Sequence, residues 1–412
     1  MTEPDAAGQL DAGFFQDPLA YLAPMREREP VTRVAMPDGW TVWMITGYDE
    51  VRGALADPRL YKDWMSKLRP EGSPPDPFDF LNTHLLALDP PAHTRLRKLV
   101  SKAFTMRRVA GLRPRIEAIT SVLLDAMDSG RSAEVDLIEA FAFPLPVIVI
   151  CELIGIPAAD RAQFQIWSHA VVSSVVTPEE MSSAASGMFG YFTDLVAAKR
   201  QAPADDLLSA LIAARDDGPD GPDGSDGSLD EQQLIGMLFL LLIAGHETTT
   251  NLIASGTLAL VTHPVELARL RSNPALLPSA VDELLRYCSP VTHATERFTL
   301  EPVEIGGVTI PAREWVLCAT SSANHDPARF SDPSQLDLGR DTGGHLAFGH
   351  GIHYCLGAPL ARLEGEVAFG ALLSRFPDLS LAVPASTLRW RPSSLIRGLE
   401  SLPVRLRQTE TN

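Results

Sequence analysis

The sequence predicts a mainly α-helical fold with small β-sheets, built as one large domain. Three observations carry that prediction. Apolar residues recur at three- and four-residue spacing through most of the first 290 residues, as over 99–127 and 181–199. Residues 234–244, LIGMLFLLLIA, are apolar all round, which is the pattern of a helix buried on every side. Strand-like pieces are short and mostly late: 303–310 around a Gly306-Gly307 turn, and 315–320.

Taken in order, residues 1–13 lack both a basic stretch and an apolar core, so they read as a flexible amino terminus and not a secretory signal. Residues 34–45 and 402–406 read as further strands able to pair into small sheets. The 62–88 stretch is rich in Pro and Gly and reads as a long loop able to act as a lid. Residues 216–231, DDGPDGPDGSDGSLDE, read as an exposed acidic loop, and its Ser228-Leu-Asp-Glu231 end is a helix-start signal for the apolar run. His263-Pro264 and Asn273-Pro274 punctuate later helices.

Composition excludes several function classes. Hydrophobic residues are 45% and charged residues 21% of 412, which is globular and not disordered. Thirty-five basic against 52 acidic residues give a net charge of −17, unsuited to nucleic acid or to an anionic membrane surface. Four cysteines without a CxxC pair exclude a disulfide scaffold and a zinc ribbon. The 11-residue apolar run is shorter than the roughly 20 residues a bilayer span needs. A cytoplasmic monomer with reduced thiols is expected.

Residues 348–357 read FGHGIHYCLG. Three glycines in ten residues let the backbone approach something flat or bulky closely. Cys355 follows them and precedes a helix-like stretch at 360–369. A cysteine at a helix amino terminus sits near positive partial charge and N–H donors, which favours thiolate. Such a thiolate is a nucleophile or a metal ligand. His345, His350, His353 and Cys355 also admit a zinc reading, but their spacing matches no common tetrahedral site.

This segment resembles the haem-binding loop of the haem-thiolate monooxygenases, cytochrome P-450, with Phe348, Gly351, His353, Cys355 and Gly357 at the family's fixed positions. The resemblance runs from about residue 14 to 406 and is strongest to soluble bacterial members that hydroxylate macrolides and other natural products. It implies haem b buried between a long distal helix and the loop of Cys355, the axial iron ligand. A thiolate ligand donates electron density to iron and promotes O–O cleavage. The N–H groups of Leu356 and Gly357 would temper that donation, and Phe348 would keep water from the sulfur.

Further motifs follow in family order. Ala244-Gly245-His246-Glu247-Thr248-Thr249 places costly residues in a buried helix. The resemblance makes Glu247 and Thr248 the acid–alcohol pair that conducts protons to dioxygen, with Thr248 distorting the helix locally, and Ala244 and Gly245 small enough to leave room above the ring. His246 reads as structural. Glu283-Leu-Leu-Arg286 matches the buried ExxR pair, which Arg329 would complete as a structural network. His93 and Arg97, Arg297, and His353 match positions that hold the haem propionates. The substrate pocket is expected to draw on the 62–88 loop, residues 171–178, Leu240, Ile243, Val291 within 290–294, and Leu395-Ile396. Glu71, Asp76 or Asp79 would pair with an amine-bearing substrate.

Residues 90–116 hold eight basic residues and no acid. In this family that face would dock an acidic ferredoxin on Arg95, Lys98, Lys102, Arg107 and Arg108, fed from NAD(P)H through a reductase, since the chain has no flavin, nicotinamide or iron–sulfur fingerprint of its own. The implied reaction is hydroxylation or epoxidation of a sizeable lipophilic secondary metabolite. Oxidative coupling, desaturation or N-oxidation by the same oxidant is the alternative, and a non-catalytic haem sensor or a zinc hydrolase the remoter ones.

Overall fold

The computed structural model describes residues 8–70, 79–130, 133–172, 177–214 and 229–407. They gather into two compact units, each drawn from separate stretches of chain. The first takes Met1–Tyr61, Ile116–Pro144 and Thr248–Asn412; the second takes Lys62–Arg115 and Leu145–Glu247. Glu71 and Asp76 lie outside the described residues, as do 173–176 and most of the acidic loop.

In the first unit ten short strands form three sheets. They are β1 Val31–Ala35, β2 Thr41–Ile45, β3 Leu60–Tyr61, β4 Glu134–Asp136, β5 Arg297–Thr299, β6 Val303–Ile305, β7 Val308–Ile310, β8 Trp315–Cys318, β9 Ser380–Leu381 and β10 Pro403–Arg405. The largest sheet runs β1-β2-β8-β5-β3, the second β4-β10-β9, and β6-β7 stands as a hairpin. Gly306 and Gly307 both have positive φ, +57° and +79°, which is the backbone a tight hairpin turn requires. Period-two alternation gives the largest sheet two buried faces. Val31, Ile45 and Val316 join one apolar cluster with Tyr48 and Phe330, while Val34, Val42, Met44 and Leu317 join another with Phe14 and Leu22. Leu10, in the stretch expected to be loose, is buried in the second cluster and donates its N–H to Ala35 at 2.9 Å.

Three helices make the helical core of this unit: the long helix Glu231–Thr262 in its second half, the helix Leu277–Cys288, and the carboxyl-terminal helix Ala358–Arg375. Glycines set their approach. A Cβ on Gly256 would lie 2.5 Å from the Phe369 ring, and one on Gly365 3.1 Å from Val281. The long helix is apolar and long enough to cross a membrane, but 61% of its most apolar window is buried inside the protein. Its start differs from the predicted cap: Asp230 accepts from Gln233 N at 2.7 Å while the Gln233 side chain reaches back to Asp230 N at 3.3 Å, so the box sits two residues past Ser228.

The periodic stretch near 99–127, which leaves the second unit at Arg115 and enters the first at Ile116, is not one helix. Ala92–Ala103 ends before Thr105, whose hydroxyl caps Met106–Gly111 by accepting from Arg108 N, and Arg113–Ser129 follows. Helix Pro178–Gln201 opens with a full Thr177/Glu180 capping box. A Cβ on Gly245 would lie 2.7 Å from Ile150 of helix Pro144–Ile154, so that glycine is required by helix packing as well as by any space it leaves elsewhere.

Candidate functional site

In the first unit, Cys355 sits at the mouth of the carboxyl-terminal helix, two residues before the N-cap Gly357. Gly349 and Gly351 adopt φ of +71° and +74°, the left-handed region a side chain rarely tolerates. Gly351 also passes so close to Leu55 that a Cβ there would lie 2.9 Å from its carbonyl oxygen. These two residues fold the loop back, and Cys355 N donates to Phe348 O at 2.9 Å. Phe348 is thereby tied through its backbone to the cysteine. A Cβ on Gly357 would lie 3.8 Å from Cys355 Sγ, in ordinary contact with it. Cys355 is half-buried, with His353 half-buried on the short 3-10 turn Gly351–His353. The other cysteines differ: burial pushes the thiols of Cys151 and Cys288 up to about 12, so both are inert at neutral pH.

The loop is braced by a continuous chain of hydrogen bonds. Glu283 and Arg286 are fully buried and pair through two bonds of 2.7 and 2.8 Å. Arg286 also donates to Asn324 O at 2.8 Å and Pro333 O at 2.9 Å. The Asn324 side chain in turn accepts from Leu346 N at 2.7 Å, two residues before Phe348. The third member of the charge network is Arg340, whose Nε lies 3.2 Å from Glu283, and not Arg329. Arg329 instead stacks over Phe330 and Tyr48, with ring centroids 4.9 and 5.6 Å away, and donates to Gly343 O. The reason is backbone direction: the turn at Asp337–Arg340 brings Arg340 back to Glu283, which also accepts from Asp337 N.

Sequence reasoning missed a second brace. Arg362, on the helix after Cys355, holds its guanidinium 4.6 Å above the Phe348 ring and donates Nε to Asp282 Oδ1 at 2.7 Å. His345 approaches the same Asp282 oxygen at 3.4 Å. Despite burial, hydrogen bonds from His345 and Arg362 hold the Asp282 carboxyl below its usual range. A cation is thus fixed on the ring of Phe348, whose backbone oxygen accepts from Cys355 N. The partners lie 80 residues apart, so no local pattern discloses them.

Arg297 lies on β5, as an extended segment was expected to carry it, and is buried. Its guanidinium donates to Leu55 O at 3.1 Å and Leu60 O at 3.4 Å, which fixes its direction. Val291 pairs with Ile396 across an isolated bridge, and Thr292 N donates to Leu395 O at 2.8 Å. Three of the pocket candidates are therefore neighbours. Behind Thr248, Glu364 lies fully buried beside Thr249 without a well-formed hydrogen bond to either oxygen. Burial pushes its carboxyl up to about 8, so it stays protonated at neutral pH.

In the second unit, His93 and Arg97 share one face of helix Ala92–Ala103. His93 is buried, and burial together with Arg97 lowers its pKa, leaving a neutral imidazole. On the long helix, His246 sets its Nδ1 2.6 Å from Leu242 O and its Nε2 3.7 Å from Glu247. Only a donor can face a carbonyl at that distance, so Nδ1 carries the proton and the structural reading of His246 stands. Asp79 is engaged by Arg69 through bonds of 2.8 and 2.9 Å.

The long helix runs as α-helix from Glu231 to Thr262 with no break at Ala244–Thr249. Leu240, Leu241, Ala244, Gly245 and Thr248 are partly or fully accessible, while Leu242, His246, Glu247, Thr249 and Thr250 are buried. At 3.6 residues per turn the accessible positions form one stripe, apolar except for a single hydroxyl. Ile243, next to it in sequence, is half-buried. The helix is uninterrupted here, contrary to the expectation that Thr248 would distort it, and Ala244 and Gly245 are the small residues of the stripe.

The residues fit haem. One accessible soft sulfur at a helix amino terminus suits a transition-metal ligand, and the stripe suits a flat apolar ring. The buried arginine and neutral imidazole are donors of the kind a carboxylate accepts. Among the described residues no group of three or more His, Cys, Asp or Glu side chains is arranged to hold an ion, so the four side chains of the zinc alternative do not gather.

Comparison with known proteins agrees. The Cytochrome P450 family profile matches residues 179–382. The cytochrome P450 monooxygenase PikC of Streptomyces venezuelae is 48% identical over 97% of this chain and 94% of its own. The 6-deoxyerythronolide B hydroxylase of Saccharopolyspora erythraea is 47% identical over 95% of this chain and 97% of its own. The tirandamycin C-bound structure of the P450 monooxygenase TamI superposes with a TM-score of 0.88 at 49% identity, covering 97% of this chain and 100% of that one. With its Gly-rich cysteine loop and buried Glu283–Arg286 pair, and relatives matching it nearly end to end, the chain belongs to the cytochrome P450 monooxygenases.

Proposed function

We propose that this monooxygenase hydroxylates or epoxidises a sizeable, lipophilic, polyketide-like metabolite, using haem held by Cys355 and electrons from an acidic ferredoxin reduced at the expense of NAD(P)H. The accessible stripe of the long helix carries the reading. It offers a substrate an apolar wall of Leu240, Leu241 and Ala244, and one hydroxyl, Thr248, at the reacting end. Two relatives point to the same substrate class by name, one a hydroxylase of 6-deoxyerythronolide B and one solved with tirandamycin C.

Haem, when bound, supplies the activation of dioxygen for insertion of one oxygen atom. The chain's own residues do the rest. Cys355 ligates the metal as thiolate. His93, Arg97, Arg297 and His353 bind the propionates. Thr248 Oγ holds a proton beside the substrate, and Glu247 replenishes it from solvent. Val291, Leu395 and Ile396 orient the substrate and exclude water. The protonated Glu364 behind Thr249 keeps a second, negative charge away from that helix.

For the electron donor, the basic helix, its successor and the start of the next helix present Lys98, Lys102, Arg107 and Arg113 as exposed residues, with Met106 67% exposed among them. Arg108 pairs with Asp205 at 3.0 Å and Arg115 with Glu152 at 2.7 Å, so Arg108 reaches a docked partner only by sharing or leaving Asp205.

Turnover of candidate polyketides with a ferredoxin, its reductase and NAD(P)H tests the reading. The wild type is expected to couple reductant consumption to product. Thr248→Ala should consume reductant at a comparable rate and release peroxide in place of product. Full coupling in that variant would remove the role assigned to the hydroxyl.

A further inference from the structure

A cavity of about 290 Å³ opens in the first unit, lined by residues that the reaction does not use. Its walls come from the far end of the long helix (Ser255, Leu258), the end of helix Leu277–Cys288 (Tyr287), residue Ser321, and the pair Trp390 and Arg397. At about 30 Å³ per water, that is room for about ten waters, or a ring with a carboxylate attached.

Three features of the lining point to one ligand chemistry. Arg397 stacks on Trp390, its guanidinium 3.8 Å from the ring centroid. Its two terminal nitrogens donate once each to Gln16 O at 3.3 Å, so among the described residues three of its five N–H groups have no protein acceptor. Among the described residues no carboxylate lies within ion-pair distance of it; Asp17 attracts it only from further away. Burial lowers its pKa to about 10, which still leaves it charged at neutral pH and short of a counter-ion. Secondly, the lining contains no Asp or Glu. Thirdly, the hydroxyls of Ser255 and Ser321 are buried with no hydrogen-bond partner, an expensive state that a χ1 rotation toward a bound acceptor would relieve.

We propose that this cavity is a binding site for a small aromatic carboxylate. The carboxylate pairs with Arg397 and accepts from Ser255 and Ser321. The ring lies against Trp390, Tyr287 and Leu258. The site adjoins the substrate wall in sequence, Arg397 directly following Ile396, and shares two elements with the haem machinery. Ser255 lies two turns beyond Thr248 on one helix, about 10 Å along its axis. Tyr287 directly follows the buried Arg286.

Benzoate is the probe, titrated against the haem-loaded full chain and followed by tryptophan fluorescence, melting temperature and the Soret band together. Benzoate should quench fluorescence and raise the melting temperature without moving the Soret band. Benzyl alcohol, which lacks the charge, should bind about tenfold more weakly, and benzylamine should not bind. Arg397→Gln should weaken benzoate about tenfold. The double change Ser255→Ala/Ser321→Ala leaves the arginine in place and should weaken it about threefold, so the proposal stays testable if Arg397→Gln folds poorly. Benzyl alcohol binding as well as benzoate would overturn the proposal. So would benzoate affinity unchanged by the serine pair, or quenching that arrives only with a Soret shift, which would place the ligand at the haem.

Discussion

Cys355 is held by its neighbours more than by its own motif. The glycines bend the loop, Cys355 N donates to Phe348 O, and Arg362 fixes a positive charge on the Phe348 ring while Asp282 fixes the arginine. A nearby cation favours the more electron-rich state of a redox centre, and the carboxylate partly cancels it. Arg362→Gln should therefore lower the haem reduction potential, whereas Asp282→Asn should raise it. Spectroelectrochemistry on the isolated, haem-loaded variants measures both without a redox partner. Shifts of the same sign would mean that the brace acts only by holding the loop. Cys355, Glu283 and Arg286 were legible from sequence because each stands in a compact string of fixed spacing. Arg362 on Phe348 and Arg340 on Glu283 were not, because turns far along the chain create those contacts. Arg329 misled for the same reason: its spacing fits a network that the backbone after Phe330 hands to Arg340.

Elements, once their periods were recognised, followed the sequence closely. The apolar run 234–244 became part of a 32-residue helix, buried over 234–238 but accessible at Leu240, Leu241 and Ala244 and so not covered on every side as expected, and the Gly306-Gly307 turn became the β6-β7 hairpin. Boundaries were less legible. Thr105 splits a periodic stretch because its hydroxyl satisfies a helix start, and Asp230 takes the capping role assigned to Ser228. Helix-to-helix distance was not legible, since it depends on which glycine meets which ring. Gly256 faces the buried Phe369 and has no room for a side chain. Gly256→Val should destabilise the protein by about 1–3 kcal/mol through overpacking. Gly53, which has open space around its Cβ position, should accept Ala at little cost, and thermal unfolding of the two variants measures the contrast. Equal losses would mean that contact with the Phe369 ring does not set the requirement at Gly256.

Across the whole molecule, buried titratable groups bound stability on both sides of neutrality. Glu364 has a folded-state pKa of about 8 against an ordinary 4.5. The folded chain keeps a proton that the unfolded chain releases, so this contribution is complete below about pH 4.5 and is lost as pH rises toward 8. His84 and His325 have the opposite sign. Burial lowers each from 6.5 to about 4, so the unfolded chain takes up protons first, and stability is lost as pH falls through that window. The melting temperature should decline on either side of an intermediate pH, and Glu364→Gln should flatten the alkaline limb alone. An unchanged alkaline limb would mean that Glu364 is ionised in the folded protein.

All of these roles depend on Cys355 reaching haem iron as a thiolate. The carbon monoxide difference spectrum of the reduced, haem-loaded protein measures that directly. Wild type should show the red-shifted Soret band of thiolate ligation, and Cys355→Ser should lose it. An ordinary, unshifted band in the wild type, or a red-shifted band that survives the substitution, would contradict the account.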